Sequence, residues 1–127
     1  ILHAAKEEGA STVMISFVLK PDGTLRSGHN AESVFAELEQ AGAAALGINC
    51  IAADDMLPPL VKRLKRTLSI PLICKPNTGK AVDGIRTVDI HMFTAVMRRC
   101  IENGAALVGG CCGTTPEYIA ALKNIIQ

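Results

Sequence analysis

Charge of one sign, aromatic side chains and long apolar runs are all scarce in this chain. Thirteen Lys and Arg against twelve Asp and Glu leave a formal charge of +1, which gives no electrostatic case for binding nucleic acid. The short basic run Lys62, Arg63, Lys65 and Arg66 has helical spacing and reads as the solvated side of an amphipathic helix. No stretch approaches the roughly 20 apolar residues that span a bilayer, and no signal peptide is read at the start; no membrane association and a cytoplasmic location are expected. Tryptophan is absent and aromatic residues make up 3% of the 127, while 49% are hydrophobic, which suits one soluble globular unit of modest size. The five cysteines, an odd number in apolar and Gly-rich segments, do not have the pattern of a disulfide framework. A reducing cytosol fits them better, and there converging cysteines suggest metal or catalysis.

What the chain does have is a regular alternation of short β-like and longer helix-like segments. The run 11–19, "STVMISFVL", is rich in β-branched and apolar residues and is closed by the turn signal "KPDG". Asn30 is placed to cap a helix that runs to about Gly42. A second apolar run, 43–50, precedes the amphipathic "LPPLVKRLKRTL", whose prolines fit only a first helical turn. A third, 70–76, ends at the turn-like "PNTG" and leads to a helix over 87–104. The fourth strand, 105–110, leads to a last helix from Thr114 or Thr115 to Gln127, and "ILHAAKEEG" reads as the end of an earlier helix. Four consecutive βα units of roughly 30 residues predict an α/β fold with a parallel sheet. The pattern leaves open whether the sheet is an open doubly wound one or part of a barrel; a full eight-unit barrel needs about 250 residues.

In either architecture ligands bind at the carboxyl ends of the strands. Cys50 closes the second strand, Asn77 follows the third, and the doublet Cys111–Cys112 follows the fourth inside "VGGCCGTTPE". Adjacent residues within a strand face opposite ways, so the doublet acts as a unit only if the strand has already ended, as the flanking glycines allow. Strands two and four then end within roughly 10 Å of each other, close enough for three thiolates to converge on one zinc ion. Taken alone, Cys50 reads as a small buried hydrophobe. Cys74, within a strand, and Cys100, on a helix face, read as core. His91 is expected on a helix near the sheet and His29 in a loop, neither with metal-ligand spacing. Asp54 and Asp55 fit helix N-terminal charges as well as site residues. "KPNTGK" lacks the spacing of a Walker phosphate loop.

"GINC", "PLICKPNTG" and "GAALVGGCCGTTPEYIAAL", in this order, resemble the second half of the zinc-dependent homocysteine S-methyltransferases. This family includes the homocysteine-binding module of cobalamin-dependent methionine synthase and the betaine–homocysteine methyltransferases. "SFVLKPDGTLRSGHNAE" resembles the family's fifth-strand segment. The resemblance covers essentially the whole chain and implies that residues 1–127 form the C-terminal half of a (β/α)8 TIM barrel, the homocysteine-binding domain. It implies zinc on Cys50, Cys111 and Cys112, with Asn77 close to the metal and Asn49 in the substrate pocket. It also implies homocysteine and a methyl donor as substrates and methionine as product. The donor is methylcobalamin carried on a separate domain or protein, betaine or S-methylmethionine.

The family's Gly-rich "DGAMGT"-like segment and the acidic groups that hold the homocysteine amine have no counterpart here, and the stretch between "PNTGK" and "GGCCG" is short. The isolated chain is therefore expected to be inactive and to associate, as a homodimer or with a missing N-terminal half-barrel. Two other readings stand beside this one: a non-catalytic zinc-binding half-barrel, and a methyltransferase acting on another thiol.

Overall fold

A computed structural model describes residues 1–126. After a short helix α1 (Leu2–Glu7) the chain runs β1 (Met14–Phe17), α2 (Ala31–Gln40), β2 (Ala45–Ala52), α3 (Leu57–Lys65) and β3 (Leu72–Asn77). A two-stranded hairpin, β4 (Ala81–Val82) and β5 (Ile85–Arg86), interrupts the alternation before α4 (Ile90–Glu102), β6 (Ala105–Val108) and α5 (Pro116–Ile126). The expected parallel α/β arrangement is present: the main sheet has the order β1-β2-β3-β6, and all three pairings are parallel. Strand order follows chain order, with no reversal within the sheet.

Local chemistry sets the helix starts. Asn30 Oδ1 accepts from Ser33 N at 3.1 Å and Asp89 Oδ1 accepts from Met92 N at 2.8 Å, satisfying amides that a first turn leaves without partners. Prolines occupy the first turn of α3. Asp54 and Asp55 lie in the turn before α3, whose first turn holds no acidic residue: Asp54 Oδ1 accepts from Met56 N at 3.0 Å, and Asp55 pairs with Arg99 of α4 at 2.6 Å. Lys62, Arg63 and Arg66 are exposed as expected, but Lys65 is half-buried and caps the end of its own segment, donating to the Leu68 and Ile70 carbonyls.

Several expected boundaries shift. The first strand is confined to 14–17 rather than 11–19, and the fourth ends at Val108 rather than 110. The expected helix over 87–104 begins only at Ile90, because Asp89 caps it. The hairpin before it, over 81–86, is an addition to the expected alternation; Asp83 and Gly84 both have positive φ (49° and 78°), the geometry of a two-residue hairpin turn for which Asp-Gly is favoured. His91 lies on α4 but is exposed rather than set against the sheet. The last residue of the expected final helix, Gln127, lies outside the described residues.

The two sheet faces differ. Leu46, Ile48, Leu72 and Cys74 are fully buried and pack with Phe35, Val61, Leu64, Phe93, Met97 and Cys100 of the helices in one core. Alternation along the strands sends Gly47, Asn49, Ile73 and Lys75 to the opposite face, and by register Met14, Ser16 and Leu107 join them. That face carries no helix, and on it Met14 is 60% and Leu107 41% exposed. The apolar strand runs, which suggest a sheet covered on both sides, here face one thick helix layer, and the second face mixes small and polar residues with the uncovered Met14 and Leu107.

Candidate metal centre

The chain places Cys50 at an unusual point of the backbone. The register of β2 against β3 shifts between Asn49 and Ala52, and Cys50 within that irregularity has φ +56°. Non-glycine residues seldom adopt this left-handed conformation, and where they do the surrounding structure holds them for a reason, often a functional one. The effect is to turn Cys50 out of the alternation of its strand. Asn77, from the end of β3, fixes the turn: its Nδ2 donates to the Cys50 carbonyl at 3.0 Å, while its Oδ1 accepts from Gly79 N at 2.9 Å.

The doublet is held from three sides. Because β6 has ended at Val108, Cys111 and Cys112 lie in a turn and are free to face one point. Cys111 N donates to the Pro76 carbonyl at 2.9 Å. The Cys111 carbonyl accepts from Thr114 Oγ1 at 2.7 Å, and the Cys112 carbonyl from Thr78 N at 3.2 Å. Gly113 has φ +83°, and a side chain there would collide with Thr78 Oγ1 and the Arg86 guanidinium. Glycine is required on both counts.

The three sulfurs converge. The Sγ atoms of Cys50, Cys111 and Cys112 all lie within 4.8 Å of one another, with Cys112 Sγ 3.8 Å from that of Cys50 and 3.9 Å from that of Cys111. Sulfurs at two corners of a tetrahedron around zinc, each about 2.3 Å from the ion, are about 3.8 Å apart. The donor set and these two distances fit a zinc site. The third pair does not: Cys50 and Cys111 are joined as a disulfide, with Cα atoms 5.6 Å apart. The three sulfurs converge as expected, with two of them bonded to each other. Backbones held within the usual 4.4–6.8 Å bridging range let two of the converging sulfurs bond, so the set must be reduced before it can bind metal.

The remaining cysteines are apart from this site. Cys74 and Cys100 are buried and unbonded, as the sequence suggests; the neighbouring Cys100 thiol, and then burial, push the Cys74 thiol well above its ordinary range. Asn49 is half-buried on the helix-free face, one residue from Cys50. His29 hydrogen-bonds only with Ser27, and no histidine joins the cluster. Sequence reasoning missed Thr78, the one buried polar side chain among the described residues, and Arg86, which donates to the Gly79 carbonyl at 3.1 Å. The Asp-Gly pair between Val82 and Ile85 is the signal that would have found the hairpin carrying Arg86. Thr78 has no local signal, since its partner is distant in the chain.

Comparison with known proteins identifies a family. A family model described as homocysteine S-methyltransferase matches residues 1–126. The chain is 35% identical over 125 residues to homocysteine S-methyltransferase YbgG of Bacillus subtilis, covering 94% of this chain and 39% of that protein. It is 34% identical over 90 residues to a selenocysteine methyltransferase of Astragalus bisulcatus, covering 65% and 26% respectively. Among solved structures, the metallated form of the homocysteine methyltransferase MmuM from Escherichia coli superposes with TM-score 0.79 at 30% identity over 97% of this chain and 38% of that one. Its oxidized form gives 0.78 at 31% identity, over 97% and 39%. The chain spans between 9% and 39% of the lengths of the curated relatives it matches.

Proposed function

The chain belongs to the homocysteine S-methyltransferase family, and on that premise we propose that it is the thiol-activating half of a zinc-dependent methyltransferase that converts homocysteine to methionine. The observation that carries this reading is the convergence of Cys50, Cys111 and Cys112 at the carboxyl ends of β2 and β6. In reduced form these three side chains would hold zinc and leave a fourth position for the substrate thiol. Bound there, zinc would supply the Lewis acidity that keeps an incoming thiol deprotonated at neutral pH.

The chain's own residues do the positioning. Asn77 holds the Cys50 carbonyl, Thr78 and Thr114 hold the carbonyls of the doublet, and Asn49 and Asn77 border the space for the amino acid. In the reaction the homocysteine sulfur forms a bond to the methyl carbon as the donor–methyl bond breaks. The bonding pair leaves with the donor, and the thiol proton goes to solvent. The donor, whether methylcobalamin on a separate module, betaine or S-methylmethionine, approaches from the open rim. A reducing compartment such as the cytoplasm keeps the thiols available.

We place residues 1–127 as the C-terminal half of a (β/α)8 barrel. The sequential parallel strand order and a helix layer on one face support this, because a doubly wound sheet reverses its strand order. Among the described residues the helix-free face of the sheet carries no carboxylate to hold the substrate amine, and the isolated half is inactive alone in this reading. The direct test measures zinc content and the proton released when homocysteine is added to reduced, zinc-loaded protein. One zinc and one proton per chain are expected; zinc retained with no proton release leaves a non-catalytic metal site. The selenocysteine methyltransferase relative favours a second reading, methylation of another thiol or selenol, which the same assay distinguishes by competition with selenocysteine.

A further inference from the structure

Among the described residues, Lys75 is the one cation on the helix-free face of the sheet. Its neighbour Cys74 is fully buried against the helices, so alternation puts the Lys75 side chain on the other face. The register pairs Lys75 with Asn49, and Gly109 follows Val108, the partner of Cys74. Asn49, Lys75 and Gly109 thus form one row across the face, directly before Cys50 on one strand and two residues before Cys111 on another. The Lys75 stem crosses the ground left open by Gly109, where an added side chain would meet its Cγ at 3.6 Å and Cδ at 3.9 Å. Lys75 is half-buried, and among the described residues no ion pair or side-chain hydrogen bond engages its ammonium; Arg63 and Arg99 form the ion pairs present.

A half-buried ammonium with no partner of its own is a ready receptor for an anion. Neighbouring strands lie about 4.8 Å apart, so Lys75, paired with the residue before Cys50, sits one strand spacing from the start of the cluster and carries a long, flexible stem. Four single bonds separate the sulfur of homocysteine from its carboxylate carbon, an extended reach of about 5 Å. A substrate with its sulfur at the cysteines therefore has its carboxylate within range of this one free cation.

We propose that Lys75 is a carboxylate receptor beside the cysteine cluster, and that the carboxylate it takes is that of the amino-acid thiol. The inference rests on the reading of the site as a homocysteine site. Lys75 acts by charge and hydrogen bonding on the part of the substrate that does not react, so it sets which thiols bind rather than the chemistry at sulfur.

The test compares L-homocysteine with 3-aminopropane-1-thiol, the same molecule without its carboxylate, by calorimetric binding to reduced, zinc-loaded protein. In Lys75→Met, affinity for homocysteine should fall about 10- to 100-fold, the value of one charge-assisted contact, while affinity for 3-aminopropane-1-thiol stays unchanged; Lys75→Arg should restore part of the loss. Equal loss for both thiols together with a lowered melting temperature means that the anion is a carboxylate of the protein, and overturns the substrate assignment. Unchanged affinity for both thiols overturns the receptor altogether. If the unsubstituted protein binds zinc but neither thiol, the reading of the site as a homocysteine site fails and takes this inference with it.

Discussion

Asn77 donates from Nδ2 to the carbonyl of Cys50 at 3.0 Å, and Cys50 is the residue of the cysteine cluster with a left-handed backbone, φ +56°. The contact joins β3 to the bulge of β2 and holds a metal-ligand candidate in a conformation it would otherwise leave. Partners of this kind, one step removed from a metal, typically account for 10–100-fold in affinity. Asn77→Ala should lower zinc affinity by about that range with little change in fold, as read by competition with a chromogenic chelator. Asn77→Asp, which lacks the amide donor, should not rescue it. Wild-type affinity in Asn77→Ala would show that the bulge holds Cys50 unaided.

Metal stoichiometry separates the five cysteines. Cys50→Ser, Cys111→Ser and Cys112→Ser should each lose bound zinc on gel filtration under reducing conditions. Cys100→Ala should retain one equivalent, since its side chain is buried in the helix layer. Loss of zinc in Cys100→Ala with retention in Cys111→Ser would reverse the assignment.

Most of the scaffold is legible along the chain because it is written locally. Asn30 before a helical pattern, prolines in the first turn of α3, and apolar runs of strand length need only neighbours a few residues away to have their effect. The convergence of Cys50 with the doublet is legible as well, through the rule that strand ends share a rim. What is not legible depends on distant partners. Thr78 is buried because the Cys112 carbonyl returns to its backbone amide across 34 residues of chain. The Cys50–Cys111 bond depends on backbone placement that spacing alone does not give. The sidedness of the sheet, with Lys75 on the helix-free face, appears only once the register is known.

Thiol reactivity should count the same groups in another way. Without reductant, native protein should react quickly with a maleimide at Cys112 alone, the exposed free cysteine. After reduction and metal removal Cys50 and Cys111 should react too. Cys74 should stay slow until the protein unfolds, because the neighbouring Cys100 thiol and burial keep it protonated and the thiolate is the reactive form. Rapid labelling of Cys74 in folded protein, located by peptide mass mapping, would contradict the packing described.

Acid stability should depend in part on Glu39. Its Oε1 accepts from Ser69 Oγ, from Ser69 N at 3.0 Å and from Ile70 N at 3.2 Å, tying the end of α2 to the turn before β3. The Ser69 hydroxyl, followed by the two backbone amides, holds this carboxyl below its ordinary value of 4.5. A depressed folded-state value means that the contribution is complete above pH 4.5 and is lost as pH falls through the lower folded-state value. Glu39→Gln should lower the melting temperature near neutral pH and flatten its decline below pH 4.5. Parallel melting curves for the two proteins across that range would show that the contact is not coupled to protonation.

Assembly follows from the sheet's two faces and two edges. β1 and β6 each have a neighbour on one side only, which leaves unpaired backbone groups as a template for another strand. On the helix-free face Met14 is 60% and Leu107 41% exposed, and fully burying such a side chain is worth roughly 1.5–3 kcal/mol. Set against a domain stability of about 5–15 kcal/mol, covering both edge strands is a large gain. We therefore expect the 127-residue chain to self-associate at micromolar concentration, as a dimer closing eight strands about a two-fold axis or as a larger assembly. Sedimentation velocity measures this directly. Met14→Lys and Leu107→Lys, placed on the two edge strands, should raise the monomer fraction without unfolding the helix layer, which circular dichroism checks. A cooperative, folded monomer of the unsubstituted chain would mean that the inner face is stable in water, and would remove the main physical reason for reading the sheet as half of a closed barrel.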